Sequence, residues 1–463
     1  MKKVTAILLA VGLVLAMAGC AGQGQNGDSA SSSVNMDYTV QAQAIADALQ
    51  NEDFSAVTAQ FDAAMAASLP QEDLKAAWNQ TIQGLGAYTG RGTPESAAVQ
   101  NGCTVTVPEQ YEEKIVAVQI SFNSEGRVQG LFFSYREGEN SGSQPAASLP
   151  QGVKEEQVTV VGELSLPLQG VLTLPQEVKN PPVVILIQGS GQSDKDETIG
   201  ANKPFQDIAW GLAEKGIATL RYDKRYMTYP QAGQQLGGKL TIYDEVLDDA
   251  DAAIALLRQD GRVDPERIFV LGHSLGGMLM PYIAAQHPEL AGGISMAGSL
   301  RPLWEIMYDQ NMELADTLRP TLGENDQAVL EAQLQQLDKD RQELELMAQG
   351  GGTGSSALMG ISAAYWRSLI ETTGERQLEK VTQPLLILQG DADFQVYPDK
   401  DYTLWEACLA DRENTVFHLY EGLNHLMMPT SGKRDTSEYE TAGHVSEEVI
   451  ADIAAFVQDT GAA

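Results

Sequence analysis

Ser274 stands in Gly272-His-Ser274-Leu-Gly276, with Gly277 next. An apolar run, Ile268-Phe-Val-Leu271, leads into it, and a helix-prone stretch, Met278 to Gln286, leads away. A serine on a sharp strand-to-helix turn needs glycines on both sides, because side chains would clash there, and it presents its hydroxyl clear of the backbone. That hydroxyl is a poor nucleophile until a base takes its proton, and a carboxylate must orient the base. The chemistry implied is acyl transfer. The chain holds five histidines, His273, His287, His418, His425 and His444. His418 lies inside an apolar run, Val416 to Tyr420, where packing explains it, and His444 opens the last helical stretch. His425 lies in a loop, Glu421-Gly-Leu-Asn-His425, between those two segments. Two carboxylates, Asp391 and Asp393, follow another apolar run, Leu385 to Gln389.

The elements around these residues alternate. Strand-like runs at Val183–Gln188, Ile217–Tyr222, Ile268–Leu271, Gly293–Met296, Leu385–Gln389 and Val416–Tyr420 are separated mostly by amphipathic stretches such as Phe205–Lys215 and Tyr243–Gln259. Continuous apolar strands with helices between them predict a mostly parallel sheet covered on both faces. Residues 301–380 break the rhythm: the segment is helix-prone, carries Leu330, Leu334, Leu337 and Leu344 along one side, and is too long for a simple crossover. It is expected to be a helical lid with Gly350-Gly-Gly-Thr-Gly354 as a hinge, and with Met, Tyr and Trp side chains such as Trp366 lining the acyl pocket. Ahead of this alternating region (153–463), residues 36–140 read as a small α+β module: helical spacing over Ile45, Leu49, Phe54, Val57, Phe61 and Met65, then alternating runs at 104–108, 115–122 and 130–135. A Ser-, Gly- and Pro-rich linker covers 141–152.

Strand, elbow and alternation together resemble the α/β-hydrolases. That resemblance implies the chain order serine, acid, histidine, which leaves His425 as base. The stretch Gly390-Asp-Ala-Asp393-Phe-Gln-Val396 resembles the family's Gly-x-x-Asp-x-x-Val pattern, which selects Asp393 and leaves Asp391 as a turn residue. The family's oxyanion loop is expected where Val183–Ile187 runs into Gln188-Gly-Ser-Gly191, with Gln188 in place of the usual His. The backbone N–H groups of Ser190 and Leu275 are the expected oxyanion donors, with Gly191 as an alternative to Ser190. The blocks Gly189–Asp194, Asp196–Gly200, Asn202–Phe205, Asp207–Trp210 and Leu220–Arg225 resemble secreted bacterial esterases related to dienelactone hydrolases. In that family a small N-terminal module and a helical lid also occur, and carboxylesterase activity on short-chain esters without a cofactor or metal is implied. Asp223, Lys224 and Arg225 are expected to form a structural turn with ion pairs. Two other readings are a peptidase resembling prolyl oligopeptidases, for which the N-terminal module is too short to be a propeller, and a non-catalytic binding lipoprotein.

The first nineteen residues read as a leader, with Lys2 and Lys3 ahead of an apolar run to Met17. Cys20 directly after Ala18-Gly19 resembles a lipobox, so Cys20 is the expected lipidation site, and residues 20–35 the tether to the extracytoplasmic face of the cell membrane. The net charge of −33, from 63 acidic against 30 basic residues, disfavours nucleic acid and anionic ligands. Cys103 and Cys408 fall in different domains and are expected to be free.

Overall fold

The structure, a computed structural model, describes residues 38–136 and 149–460 apart from 63–64, 67–68, 100–101, 113, 163–165, 230–232, 234–235 and 353–356. The leader, Cys20, the tether and most of the linker lie outside the described residues. The chain divides into two compact units, with the boundary in sequence between Ser148 and Leu149.

The N-terminal unit is α+β. Helices α1 (Tyr38–Gln50), α2 (Phe54–Thr58) and α3 (Gln71–Ile82) precede the strands β1 (Tyr88–Arg91), β2 (Glu95–Val99), β3 (Gly102–Tyr111), β4 (Ile115–Asn123) and β5 (Val128–Arg136). The sheet is antiparallel, with order β1-β3-β4-β5 and β2 also on β3. Helical spacing places Ile45, Leu49, Phe54, Val57, Leu74 and Trp78 against Val105, Val107, Val118 and Ile120 in one apolar core. The sequence pattern showed no sign of β1 and β2, which have only four and five residues.

The C-terminal unit is an α/β-hydrolase fold. Its strands are β6 (Val153–Val161), β7 (Pro167–Pro175), β8 (Val183–Ile187), β9 (Ala218–Tyr222), β10 (Ile268–His273), β11 (Gly292–Met296), β12 (Leu385–Gly390) and β13 (Thr415–Tyr420). They form one eight-stranded sheet in the order β13-β12-β11-β10-β8-β9-β7-β6. The run from β9 to β13 is parallel, and β7 and β6 add antiparallel at one edge. β8 alternates between the two faces: Val183, Ile185 and Ile187 enter one core, Val184 and Leu186 the other. Helices α4 (Pro204–Glu214), α5 (Asp248–Arg258), α6 (Leu275–Gln286), α10 (Tyr402–Cys408) and α11 (Glu447–Asp459) cover these faces. Strand order reverses at β8, which has β9 on one side and β10 on the other. The carboxyl ends of β8 and β10 therefore flank a crevice, where ligands bind in open α/β sheets.

The insert at 301–380 is helical: α7 (Leu303–Leu318), α8 (Glu324–Ala348) and α9 (Ala363–Thr372). Ala315 of α7 packs against Leu330 and Leu334 of α8. One expectation, Trp366 as a pocket residue, fails here. Gly350, at φ 82°, and Gly351 return their N–H groups to Met347 and Leu346, so this part of the glycine run caps α8; Thr353 and Gly354 lie outside the described residues. Trp366 is fully buried in the main core, with its indole N–H on the Leu358 carbonyl and its ring 6.0 Å from that of Trp304, so it does not line a pocket. Among the described residues Cys103, buried, and Cys408, half-buried, form no disulfide.

Candidate active site

The turn at Ser274 is tight for a reason visible in its neighbours. A Cβ on Gly272 would fall 2.1 Å from the Gly276 carbonyl oxygen, and one on Gly276 would fall 2.3 Å from that of Ile187. Only glycine fits either place. Ser274 itself takes φ 52° and ψ −115°, a strained conformation that persists because β10 and α6 fix both sides of it. Its N–H bonds the Met296 carbonyl at 2.9 Å.

The loop after β12 carries Asp393, the expected acid. Asp393 is 1% exposed. Its Oδ1 accepts the backbone N–H groups of Gln395 (2.8 Å) and Val396 (3.0 Å), and its Oδ2 accepts the Gln389 amide (2.9 Å) and His425 Nδ1 (2.7 Å). Because a carboxylate so surrounded only accepts, Nδ1 of His425 carries the proton and Nε2 is the basic nitrogen. Asp391 is exposed and takes the Gly422 N–H, which pins the start of the histidine loop. The remaining histidines are engaged elsewhere. His418 pairs with Asp452 on the outer strand, His444 with Asp207 at the surface, and His287 with Asp251 and Glu289.

Ser274 and His425 line a cavity of about 530 Å³ together with Gly189, Ser190, Gly191 and Leu275. One wall is apolar, with Met278 and, from the insert, Leu303, Ile306 and Met307; another carries the amides and hydroxyls of Gln192, Gln395, Thr198 and Tyr439. Only α7 of the three insert helices contributes lining residues among those described. The expected oxyanion loop lies at the end of β8. Gln188 turns inward and bonds the Tyr222 and Asp194 carbonyls, so the exchange of His for Gln leaves the loop backbone anchored. Leu275 is the first residue of α6, where a backbone N–H has no carbonyl one turn back. Gly191 is a weaker alternative than expected, since its N–H already bonds Glu245 at 3.2 Å.

Sequence reasoning missed a second layer. His273 is 2% exposed; its Nε2 donates to the His425 carbonyl at 3.0 Å and its Nδ1 stands 2.9 Å from Glu197, a contact not aligned as a linear hydrogen bond that becomes an ion pair when the ring is protonated. Burial, the largest single influence, would lower the His273 pKa, but the charge and hydrogen bonding of Glu197, the His425 carbonyl and the Asp393 charge together raise it. Lys224, expected as part of a structural turn, is buried against the Gly189 carbonyl and Glu245. Asp223 and Arg225 do serve turns and ion pairs, Arg225 gripping Asp249 through two nitrogens. Glu197 lay in a block quoted above, yet nothing in its spacing marks it as buried.

Esterase EstD of Thermotoga maritima is 35% identical over 350 residues, spanning 74% of this chain and 77% of that protein. The chain belongs to the α/β-hydrolase esterase family. Within this family, a putative carboxymethylenebutenolidase of Synechocystis is 27% identical over 204 residues, 40% of this chain and 78% of its own. Residues 200–430 match the family described as serine aminopeptidase, S33, and residues 42–131 match one described as a protein of unknown function, DUF3887. Among solved structures, an esterase of Pyrococcus furiosus aligns with 66% of this chain and 91% of its own at 15% identity and a TM-score of 0.41.

Proposed function

We propose that this protein is a serine carboxylesterase that hydrolyses short-chain, uncharged carboxylic esters through an acyl-enzyme. One observation carries the reading: the buried 2.7 Å bond from His425 Nδ1 to Asp393, behind a histidine that shares its cavity with Ser274 on a strained elbow. In the first half-reaction His425 Nε2 takes the Ser274 hydroxyl proton as Oγ bonds to the carbonyl carbon. The N–H groups of Ser190 and Leu275 receive the developing oxyanion, each contributing about 3 kcal/mol. His425 then gives its proton to the departing alcohol. Water repeats the sequence to release the acid.

The apolar wall of Leu303, Ile306 and Met307 supports a modest acyl group, and the net charge of −33 disfavours anionic esters. The relative named an esterase supports the same bond class. The serine aminopeptidase match favours a second reading, amide cleavage, which requires protonation of a poorer leaving group. Measuring kcat/KM over aryl esters of increasing acyl length, thioesters and peptide amides decides between them: short esters are expected to be turned over well and amides barely. Faster turnover of peptides would overturn the esterase reading. We further propose that Cys20 is diacylated and anchors the enzyme outside the cytoplasmic membrane. Cys20→Ser is then expected to move the protein out of the membrane fraction; a wild type without lipid-sized added mass would contradict the anchor.

A further inference from the structure

The loop that carries the oxyanion donor is gripped by buried charge on both sides. Glu197 Oε1 accepts the Gly189 N–H at 2.6 Å, and Glu245 Oε1 accepts the Gly191 N–H at 3.2 Å. Lys224 Nζ donates to the Gly189 carbonyl at 2.6 Å and to Glu245 Oε1 at 2.8 Å. The other oxygen of Glu245 accepts the hydroxyl of Tyr365, on α9 of the insert, at 2.6 Å. Glu197, Lys224, Glu245 and Tyr365 are between 2% and 4% exposed.

We propose that Tyr365, acting through Glu245 and Lys224, positions the oxyanion loop, so that the helical insert sets the geometry of Ser190 as well as walling the cavity. This rests on the esterase reading and assigns the insert a role inside the reaction.

Three observations support it. Burying ion pairs is a poor way to gain stability, since apolar residues of like volume serve as well or better; such pairs are better explained by the geometry they hold. Glu245 lies in a π-helical turn, Tyr243–Leu247, and Glu197 has φ 52°; both departures from relaxed backbone occur at the two residues that grip the loop. Gly189 is also wedged, because a Cβ there would lie 3.2 Å from Ser274 Cβ and 3.3 Å from Glu197. Burial, and then the Glu245 charge, hold the Tyr365 phenol well above its ordinary pKa, so it stays a donor across the neutral range. Loss of that donor leaves one oxygen of a buried carboxylate without its hydrogen bond. Glu245 and Lys224 must then readjust, and both touch the loop.

The test uses Tyr365→Phe, which keeps the ring, and a trifluoromethyl ketone. In the adduct Ser274 Oγ bonds to the ketone carbon, the hydroxyl proton passes to His425, and the carbonyl oxygen becomes an oxyanion that needs the loop. Since misplacement of a reacting group by about 1 Å can cost around a hundredfold, kcat is expected to fall about ten- to a hundredfold. KM should change by less than about twofold, and ketone affinity should weaken by the same factor as kcat/KM. Tyr308→Phe, in the same insert but outside these contacts, should match wild type. If Tyr365→Phe does not fold, Glu245→Gln takes its place, with the same split expected. Unchanged kcat, or a loss of kcat with unchanged ketone affinity, overturns the proposal. A wild type that neither turns over esters nor binds the ketone would instead overturn the esterase reading.

Discussion

Both units bury carboxylates beside cations, and the two clusters do different things. In the N-terminal unit Glu109, fully buried on β3, takes Arg91 Nε at 2.5 Å and the Gln50 amide at 3.2 Å, while Arg91 also reaches Asp47 at 2.8 Å. These contacts run from side chain to side chain and fasten α1 to the sheet. In the C-terminal unit Glu197 and Glu245 direct their oxygens at backbone N–H groups of a loop that borders a cavity. The comparison teaches that a buried charge is informative about chemistry through what it holds. A cluster closed on itself fastens elements, whereas one that grips a cavity loop fixes where a reacting charge can sit.

The largest difference is expected in turnover. Ser274→Ala or His425→Ala should each lower ester kcat/KM by about 10⁴-fold or more with the fold retained. Asp393→Asn should also be severe, since it disrupts the His425 tautomer. Asp391→Asn should be mild, because that side chain is exposed and supports only the Gly422 N–H. Equal losses at both aspartates would break the assignment.

Stability should separate the units next. Arg91→Met leaves Glu109 buried without its cation and is expected to cost about 3–5 kcal/mol in unfolding of the N-terminal unit, followed by denaturant titration, with ester turnover little changed. Trp366→Ala should cost about 3–5 kcal/mol in the C-terminal unit. Acyl-length preference should respond instead to Met307→Ala, which widens the apolar wall of the cavity. A shifted length profile for Trp366→Ala alone would contradict that division.

The smallest effect concerns pH. The His273 pKa is raised above 6.5 in the folded protein, chiefly by Glu197 acting against burial. Its contribution to stability is therefore complete below the unfolded value and is lost as pH rises through the folded one. Melting curves of wild type and His273→Gln should differ most on the acid side and converge in alkali. A difference that grows with pH would contradict the pairing.

Much of the fold was legible because parallel strands buried on both faces read as apolar runs, as at Val183–Ile187 and Leu385–Gln389. The β6–β7 hairpin was not, because β6 begins Val153-Lys-Glu-Glu-Gln157 and sits at a half-exposed edge. Ser274, His425 and Asp393 could be proposed from local spelling and order along the chain. Glu197, Lys224, Glu245 and Tyr365 could not, since each is an ordinary residue until folding brings the last two, 120 positions apart, within 2.6 Å.

In the proposed mechanism Ser274 is the acylated nucleophile. Intact-mass and peptide mass spectrometry after a fluorophosphonate probe tests it most directly. The predicted result is one adduct per chain, located on Ser274, formed in step with loss of ester hydrolysis and absent in Ser274→Ala. An adduct on another serine, or ester turnover that survives complete labelling of Ser274, would contradict the account.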